Sequence, residues 1–188
     1  SADEIYAEKH CGCGKSTAPG GSSTGSFIEP ITELNEEIAL TTENQFYFRQ
    51  LLSGVDMARA DSSARQMANF VYLIGDASTR ECVVIDPAWD IDGILKIVEQ
   101  DEMKLVGALV THYHPDHVGG SIFGMNIKGL AQLMEKNPVT IYVNKHEADG
   151  LKQVTGVSKS DMRLMDSEDK LLVGSQEISF LHTPGHTP

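Results

Sequence analysis

Residues 111–120 carry the densest group of metal-binding side chain types in the chain. They read THYHPDHVGG and place three histidines and one aspartate within six positions, directly after an apolar run that predicts a strand. At the end of a strand, residues two apart lie on one face, so His112 and His114 can bind one metal ion together. Asp116 and His117 follow where the chain must turn towards two glycines, and they can address a second ion beside the first.

Three motifs resemble those of one protein family. HxHxDH followed by Gly-Gly, at residues 112–120, resembles the metallo-β-lactamase superfamily and most closely its glyoxalase II (hydroxyacylglutathione hydrolase) branch. The sequence TPGHTP at residues 183–188 is similar to the element that supplies the family's next metal-binding histidine, here His186. Residues 83–87 resemble the family's strand that ends in Asp-Pro near the metals. The resemblance covers roughly residues 45–188 and implies an α/β fold, the αββα sandwich.

The resemblance implies a centre of two divalent metal ions. His112, His114 and His186 would hold one ion with an open position for water, and Asp116 and His117 would hold a second ion about 3.5–4 Å away. A bound ion lowers the pKa of water to about 7, so metal-bound hydroxide would be the nucleophile. Asp116 could also orient the water and accept its proton. Zinc is the first choice of metal, and iron or manganese also suits these ligands.

Asp86, at the end of the Asp-Pro strand, has two open interpretations. It could accept a hydrogen bond from a ligand histidine and fix the tautomer of that ring. It could equally cap a turn at the strand end. Of the other candidates, Cys82 is expected to be a small buried residue, whereas His146 and His182 fit no ligand pattern.

The expected reaction is hydrolysis of a thioester such as a hydroxyacylglutathione, because His117 and the Val-Gly-Gly that follows it resemble the glyoxalase II branch. Persulfide dioxygenases of the family, which use a single iron, and β-lactamases that keep the same histidine are the alternatives. The spacing from His117 to His186 is longer than in compact glyoxalase II enzymes, which predicts an insertion around residues 121–138.

The family's bridging aspartate and last histidine lie downstream of the TPGHT element, and the chain ends two residues past His186. We therefore expect the N-terminal half of a metallo-hydrolase, which needs the missing C-terminal half or a partner chain to complete its site. A non-catalytic metal-binding fragment is a further alternative. Uncovered apolar strand surface would forfeit on the order of 10 kcal/mol, so we expect the isolated chain to be unstable, aggregated or dependent on a partner.

The composition of the chain limits the classes of binding partner that we expect. The chain has 15 basic and 27 acidic residues and a net charge of −12, which disfavours nucleic acid as a partner without removing it, because some relatives of this fold cut nucleic acids. The family resemblance implies a small-molecule substrate. No apolar run approaches the roughly 20 residues that span a membrane. Three cysteines are too few for a disulfide framework, and the first residues do not resemble a signal peptide, so the expected location is the cytoplasm.

A flexible N-terminal arm is predicted for residues 1–44, since residues 15–26 are nearly all small or polar. Within this arm, His10, Cys11 and Cys13 could bind a soft metal, but they are too few for a closed structural zinc site. The metallo-β-lactamase-like domain is predicted for residues 45–188.

Hydrophobic periodicity predicts the elements of this domain. Residues 53–65 are predicted to form a polar loop, and Asp90 is predicted to cap a helix. Strands are predicted at residues 46–52, 69–75, 81–86, 105–110, 139–143, 171–173 and 178–181, and helices at residues 91–98, 130–134 and 145–153.

Overall fold

The computed structural model describes residues 45–188, so the predicted arm with His10, Cys11 and Cys13 lies outside the described residues. The strands are β1 (Phe46–Leu52), β2 (Phe70–Asp76), β3 (Glu81–Ile85), β4 (Lys104–Val110), β5 (Gly120–Ile122), β6 (Met125–Ile127), β7 (Thr140–Asn144), β8 (Met162–Met165), β9 (Lys170–Val173) and β10 (Gln176–Ser179). The α-helices are α1 (Ser62–Met67), α2 (Ile91–Gln100), α3 (Pro115–Val118), α4 (Leu130–Lys136) and α5 (Ala148–Thr155). Within residues 45–188, we find no helix with the length and apolarity to cross a membrane.

A six-stranded mixed sheet, in the order β1-β2-β3-β4-β7-β8, carries the candidate site. The pairs β1–β2 and β2–β3 are antiparallel, and the pairs β3–β4, β4–β7 and β7–β8 are parallel. The parallel strands therefore all end at one edge of the sheet, which is where open α/β sheets place their ligands. The mixed sheet with its helices confirms the predicted α/β class.

Helices cover one face of this sheet. Ile94 of α2, Leu133 of α4 and Leu151 of α5 are fully buried in the core with Leu73 and Ile141 of the sheet. Truncating such a side chain to alanine typically costs about 2–5 kcal/mol, so the helix layer holds the strands in place.

The predicted cap of α2 is confirmed. The side chain of Asp90 accepts a hydrogen bond from the Gly93 N–H at 2.9 Å. This bond satisfies one of the backbone donors that the first helical turn leaves unpaired.

The opposite face of the sheet is covered near its centre. The hairpin of β9 and β10 packs Leu171 against Val83 and Leu109. Towards the β1 edge, Phe48 remains 49% exposed and Phe70 remains 40% exposed. The apolar run at residues 105–110, which we expected to lack cover, is largely buried, so exposed apolar surface lies at this edge and not on the central strand. The instability expected from uncovered strand surface stays a prediction.

The predicted loop at residues 53–65 is wrong in its last part, because α1 begins at Ser62. Asp61 caps this helix by accepting hydrogen bonds from the Ser63 and Ala64 N–H groups at 2.8 and 3.2 Å. An aspartate directly before two serines was the signal for this helix start. The expected insertion at residues 121–138 contains the β5–β6 hairpin and α4.

Candidate metal centre

The candidate centre lies where β3 and β4 end side by side. Asp86 directly follows β3, whereas Thr111 and His112 follow β4. The chain then turns through α3 and leaves it at Gly119, which has a φ of +85°. A Cβ at this position would lie 2.6 Å from the backbone of Gly129, so only glycine fits the turn.

Three imidazole rings converge on one point. His112, His114 and His186 each offer one ring nitrogen, and these nitrogens lie within 4.8 Å of one another. The ring centroids of His112 and His114 are 4.7 Å apart, as are those of His114 and His186. Zinc–nitrogen bonds are about 2.0–2.1 Å long, so small rotations of the rings would close the three nitrogens on one ion. The structure thus brings these residues together, and metal binding by them stays a prediction.

Hydrogen bonds set the tautomer of His112. The Thr111 hydroxyl donates to Asp86 Oδ2 at 2.6 Å, so its oxygen can accept from His112 Nδ1–H at 2.9 Å. The lone pair is then on Nε2, which is buried without a hydrogen-bond partner among the described residues. Burial, and next the charge of His117, lower the pKa of His112, which keeps its ring neutral at neutral pH. A buried, neutral, unpaired imidazole nitrogen is the donor that a divalent metal ion takes.

Asp86 connects the end of β3 to the histidine loop. Its φ of +54° is a left-handed conformation that aspartate tolerates better than most residues. Oδ1 accepts from the Thr111 N–H at 2.8 Å, and Oδ2 lies 3.0 Å from His117 Nδ1. Burial would lower the pKa of His117, but the hydrogen bond to Asp86 and its charge together raise it. This geometry fits the interpretation in which Asp86 accepts from the Nδ1–H of His117 and leaves the lone pair of the ring on Nε2, the nitrogen that would bind a metal.

Asp116 lies beside His117, but its group differs from the predicted one. Its Oδ2 is 3.6 Å from His117 Nε2, so the two predicted ligands of the second ion are neighbours. The three-residue group in this place nevertheless consists of Asp86, His112 and His117, with donor atoms within 4.8 Å of one another. Asp116 stands outside that group, and its Oδ2 accepts a hydrogen bond from Asn69 Nδ2 at 2.9 Å.

Asn69 is a site residue that the sequence analysis missed. Besides contacting Asp116, its Nδ2 lies 3.0 Å from His117 Nε2. Its backbone carbonyl accepts hydrogen bonds from the N–H and hydroxyl of Ser53 at 2.9 and 2.7 Å, which fixes its position. Its Oδ1 is buried without a partner among the described residues. The only signal in the sequence was a polar residue at the start of an apolar strand.

Trp89 was also missed, and it holds the backbone of the histidine loop. The indole N–H donates to the carbonyl of Asp116 at 3.0 Å. Trp89 is only 7% exposed, and its φ of +72° is strained for a bulky side chain. It packs with Ala64, Ala88 and Ile127, and this packing maintains the strained conformation.

Other reactive side chains lie outside this centre. His146 and His182 stack on each other with ring centroids 5.1 Å apart, and neither belongs to the groups that could hold a metal ion. Burial, and next the charge of Asp101, raise the pKa of Cys82 to about 12. A thiol in that state is a poor nucleophile, as expected for a buried structural cysteine.

Comparison with known proteins decides the family. The family model of the metallo-beta-lactamase superfamily matches residues 64–188. This chain belongs to the metallo-β-lactamase superfamily. The predicted superfamily is therefore confirmed, and the donor types and their clustering fit the divalent metals that its members bind.

Curated relatives and solved structures agree with this assignment. A hydroxyacylglutathione hydrolase of Rhodopseudomonas palustris (strain HaA2) is 34% identical over 119 residues, which are 63% of this chain and 40% of that protein. An uncharacterized protein of Aquifex aeolicus is 31% identical over 124 residues, 62% of this chain and 54% of that protein. The chain thus spans about half or less of the length of these relatives.

Among solved structures, a metallo-beta-lactamase of Staphylococcus aureus matches with a TM-score of 0.56 and 26% identity, over 78% of this chain and 37% of its own. ETHE1 of Myxococcus xanthus matches with a TM-score of 0.52 and 27% identity, over 75% of this chain and 50% of its own. These matches confirm the metallo-β-lactamase fold for the part of the chain that they cover.

Proposed function

We propose that this chain provides the metal-binding part of a hydrolase that cleaves a thioester such as a hydroxyacylglutathione. The observation that carries this proposal is the buried, unpaired Nε2 of His112 within a group of three histidines at the carboxyl ends of parallel strands. The relatives named hydroxyacylglutathione hydrolase, at about one third identity, support the substrate class.

We assign the site residues to two metal positions. His112, His114 and His186 would hold the first ion, and His117 and Asp116 would contribute to a second. Divalent ions at these positions, zinc first and iron or manganese as alternatives, would act as Lewis acids and lower the pKa of bound water.

Asp116 would act as the general base that accepts a proton from the attacking water. Asn69 holds its carboxylate beside His117 by the hydrogen bond at 2.9 Å. From this position the carboxylate can orient a water molecule and accept its proton while the thioester carbonyl is attacked. Asp86 and Thr111 would keep the rings of His117 and His112 in the tautomers in which Nε2 is unprotonated.

Further polypeptide would complete the site. The relatives named hydroxyacylglutathione hydrolase extend well beyond the matched region, which is 40% of the Rhodopseudomonas palustris protein. We therefore expect remaining ligands and the substrate-recognition surface to come from additional sequence of the same protein or from a partner chain. The substrate itself would be a small molecule.

The test is metal analysis combined with a substrate panel. The protein, extended past Pro188 by the sequence that completes its site, is loaded separately with Zn²⁺, Mn²⁺ and Fe²⁺. Bound metal is quantified, and hydrolysis of a hydroxyacylglutathione is followed by thiol release. His186→Ala is the test variant and His146→Ala is its matched control, since His146 is exposed and lies outside the three-histidine group. We expect bound metal and thiol release in the parent and the control, and loss of both in His186→Ala.

Two other substrates separate the alternatives. Sulfite production from glutathione persulfide without thioester cleavage would replace the proposal with an iron-dependent oxygenase. Cleavage of a β-lactam without thioester cleavage would instead favour a lactamase. Metal binding without turnover of any of the three substrates would reduce the chain to a metal-binding segment.

A further inference from the structure

Glu147 is a buried carboxylate that the proposed chemistry does not use. It lies between β7 and α5, at the same sheet edge as the histidine loop, and is only 2% exposed. Burial of a carboxylate is costly unless both oxygens find donors. Here Oε2 accepts from the backbone N–H of Tyr113 at 2.9 Å, and Oε1 accepts from the hydroxyl of Thr187 at 2.5 Å.

The two donors belong to the two segments that carry the three histidines. Tyr113 stands between His112 and His114, and Thr187 directly follows His186. These donors lie 34 and 40 positions from Glu147 along the chain. One carboxylate therefore links two ligand-bearing segments that no local sequence relation connects.

Close packing supports this link on the side of the histidine loop. Gly150 of α5 lies against the ring of Tyr113, and a Cβ on Gly150 would come within 2.5 Å of Tyr113 Cδ1. The ring of Tyr113 in turn lies edge-on to that of His114, with centroids 5.4 Å apart. The first turns of α5 thus fix the loop through both a hydrogen bond and van der Waals contact.

The segment of His186 is held far less firmly. Residues 183–186 are exposed, and within the segment the Gly185 N–H donates to the Thr187 carbonyl at 3.0 Å. The Pro188 carbonyl lies 3.2 Å from His182 Nε2, a contact that stays within residues 182–188. Among the described residues, the Thr187–Glu147 bond is the one hydrogen bond that ties residues 183–188 to a distant part of the protein. The reach of His186 towards the other two histidines therefore depends on this bond.

We infer that Glu147 is a positioning residue that holds His186 within reach of His112 and His114, and that it sets the affinity for the first metal ion. This inference rests on the proposed metal site and is independent of the substrate. Partners that orient metal ligands typically contribute about 10- to 100-fold to metal affinity.

The test is a zinc titration against a competing chelator, with two pairs of variants. Thr187→Val removes the hydroxyl, whereas Thr187→Ser keeps it. Glu147→Ala removes both acceptors, whereas Glu147→Gln can still accept from Tyr113 through its carbonyl and donate to the Thr187 hydroxyl through its amide. We expect the zinc Kd to rise about 10-fold in Thr187→Val and up to about 100-fold in Glu147→Ala. Both conservative variants should stay close to the parent.

Two further readouts separate positioning from a general loss of structure. The absorption spectrum of the Co²⁺-loaded protein should change in Thr187→Val and be restored in Thr187→Ser. The thermal midpoint of the metal-free protein should be similar in these two variants. A zinc Kd unchanged in Thr187→Val while the parent binds zinc would overturn the inference alone. A parent protein that binds no zinc would overturn the proposed function on which the inference rests.

Discussion

The two ends of the central sheet each contain a polar side chain with buried atoms, Asp76 at one end and His112 at the other, and the two side chains differ in how fully they are hydrogen-bonded. At the amino ends of β3 and β4, Asp76 is fully buried, and each of its oxygens accepts two hydrogen bonds. Ser78 donates its N–H and hydroxyl to Oδ1 at 2.8 and 2.6 Å, and Ser175 donates the same two groups to Oδ2 at 2.7 and 2.6 Å. This carboxylate joins the β2–β3 turn to the β9–β10 turn and has no capacity left for a ligand.

At the carboxyl ends, polar groups remain unsatisfied. His112 Nε2 and Asn69 Oδ1 are buried without partners among the described residues. Buried polar groups in native structures are nearly always paired, so each exception calls for an explanation, and a functional role is one of them. A buried carboxylate therefore does not by itself identify a functional end of a sheet. An unpaired buried atom does not either, since Asn137 Nδ2, just before the amino end of β7, is also buried without a partner among the described residues. What distinguishes the carboxyl ends is that the unpaired atom of His112 is a ring nitrogen, a metal-binding atom type, and that it lies in a group of histidines.

Removing a ligand should give the largest effect. We expect His186→Ala to weaken binding of the first zinc ion by more than about 100-fold, because a direct ligand contributes more than the partners that orient it. A chelator-competition titration measures this loss, and His146→Ala is the control that should match the parent. Equal zinc affinity in all three proteins would show that His186 is not a ligand, and it would contradict the assignment of a metal site to the carboxyl ends of the parallel strands.

Asp86→Asn should have the next largest effect, because it perturbs the ligand end without removing a ligand. The amide cannot accept from both Thr111 and His117 as the carboxylate does, so zinc affinity should fall about 10- to 100-fold. The free energy of unfolding should also fall by about 1–3 kcal/mol, since buried donors lose their acceptor. Zinc titration and urea unfolding of the same preparation report the two quantities, and a loss of stability with unchanged zinc affinity would contradict a role in orienting His117.

Asp76→Asn should lower stability and leave zinc affinity unchanged, which makes it the counterpart of Asp86→Asn. Hydrogen bonds from Ser175 and next from Ser78 hold the pKa of Asp76 below its usual value. The resulting stabilisation is complete above the unfolded-state pKa of about 3.9 and is lost as the pH falls through the lowered pKa.

Urea midpoints measured from neutral pH down to about pH 2 should therefore decline less steeply in Asp76→Asn than in the parent below about pH 4. The difference between the two curves isolates Asp76 from the other acidic groups. Parallel curves would show that the Asp76 contacts add no acid-sensitive stability.

Deleting residues 1–26 should have the smallest effect. Residues 15–26 are nearly all small or polar, so we expect them to contribute little to either end of the sheet. Bound metal, quantified after deletion, should equal that of the full chain. A loss of metal on changing Cys11 and Cys13 to alanine would instead reveal a binding role for this part of the sequence.

Local patterns predicted much of the fold. The strand at residues 46–52 has the predicted bounds, and the apolar run at residues 105–110 forms all but the first residue of β4. The capped helix α2 was equally accessible, because its apolar residues recur at helical spacing after Asp90. The short hairpin of β5 and β6 was not predicted, since three-residue strands carry too little periodicity.

The residues of the candidate site also fall into a group that the sequence predicted and a group that it did not. The histidines and aspartates of one short motif were visible because ligand spacing is a local property of the sequence. Asn69 and Glu147 were invisible because their contacts span 47 positions to Asp116 and 34 to Tyr113. Such contacts form only after the strands have paired, and no pattern in the neighbouring residues predicts them.

The hydrogen bond between Trp89 and the Asp116 carbonyl has a practical consequence. The chain contains one tryptophan, so its tryptophan emission comes from a single indole that touches the histidine loop. Emission of this indole should therefore shift or change in intensity when metal binding alters the loop, and paramagnetic ions bound nearby should quench it. Metal loading could thus be followed in real time without a label, by light emitted from beside the site itself.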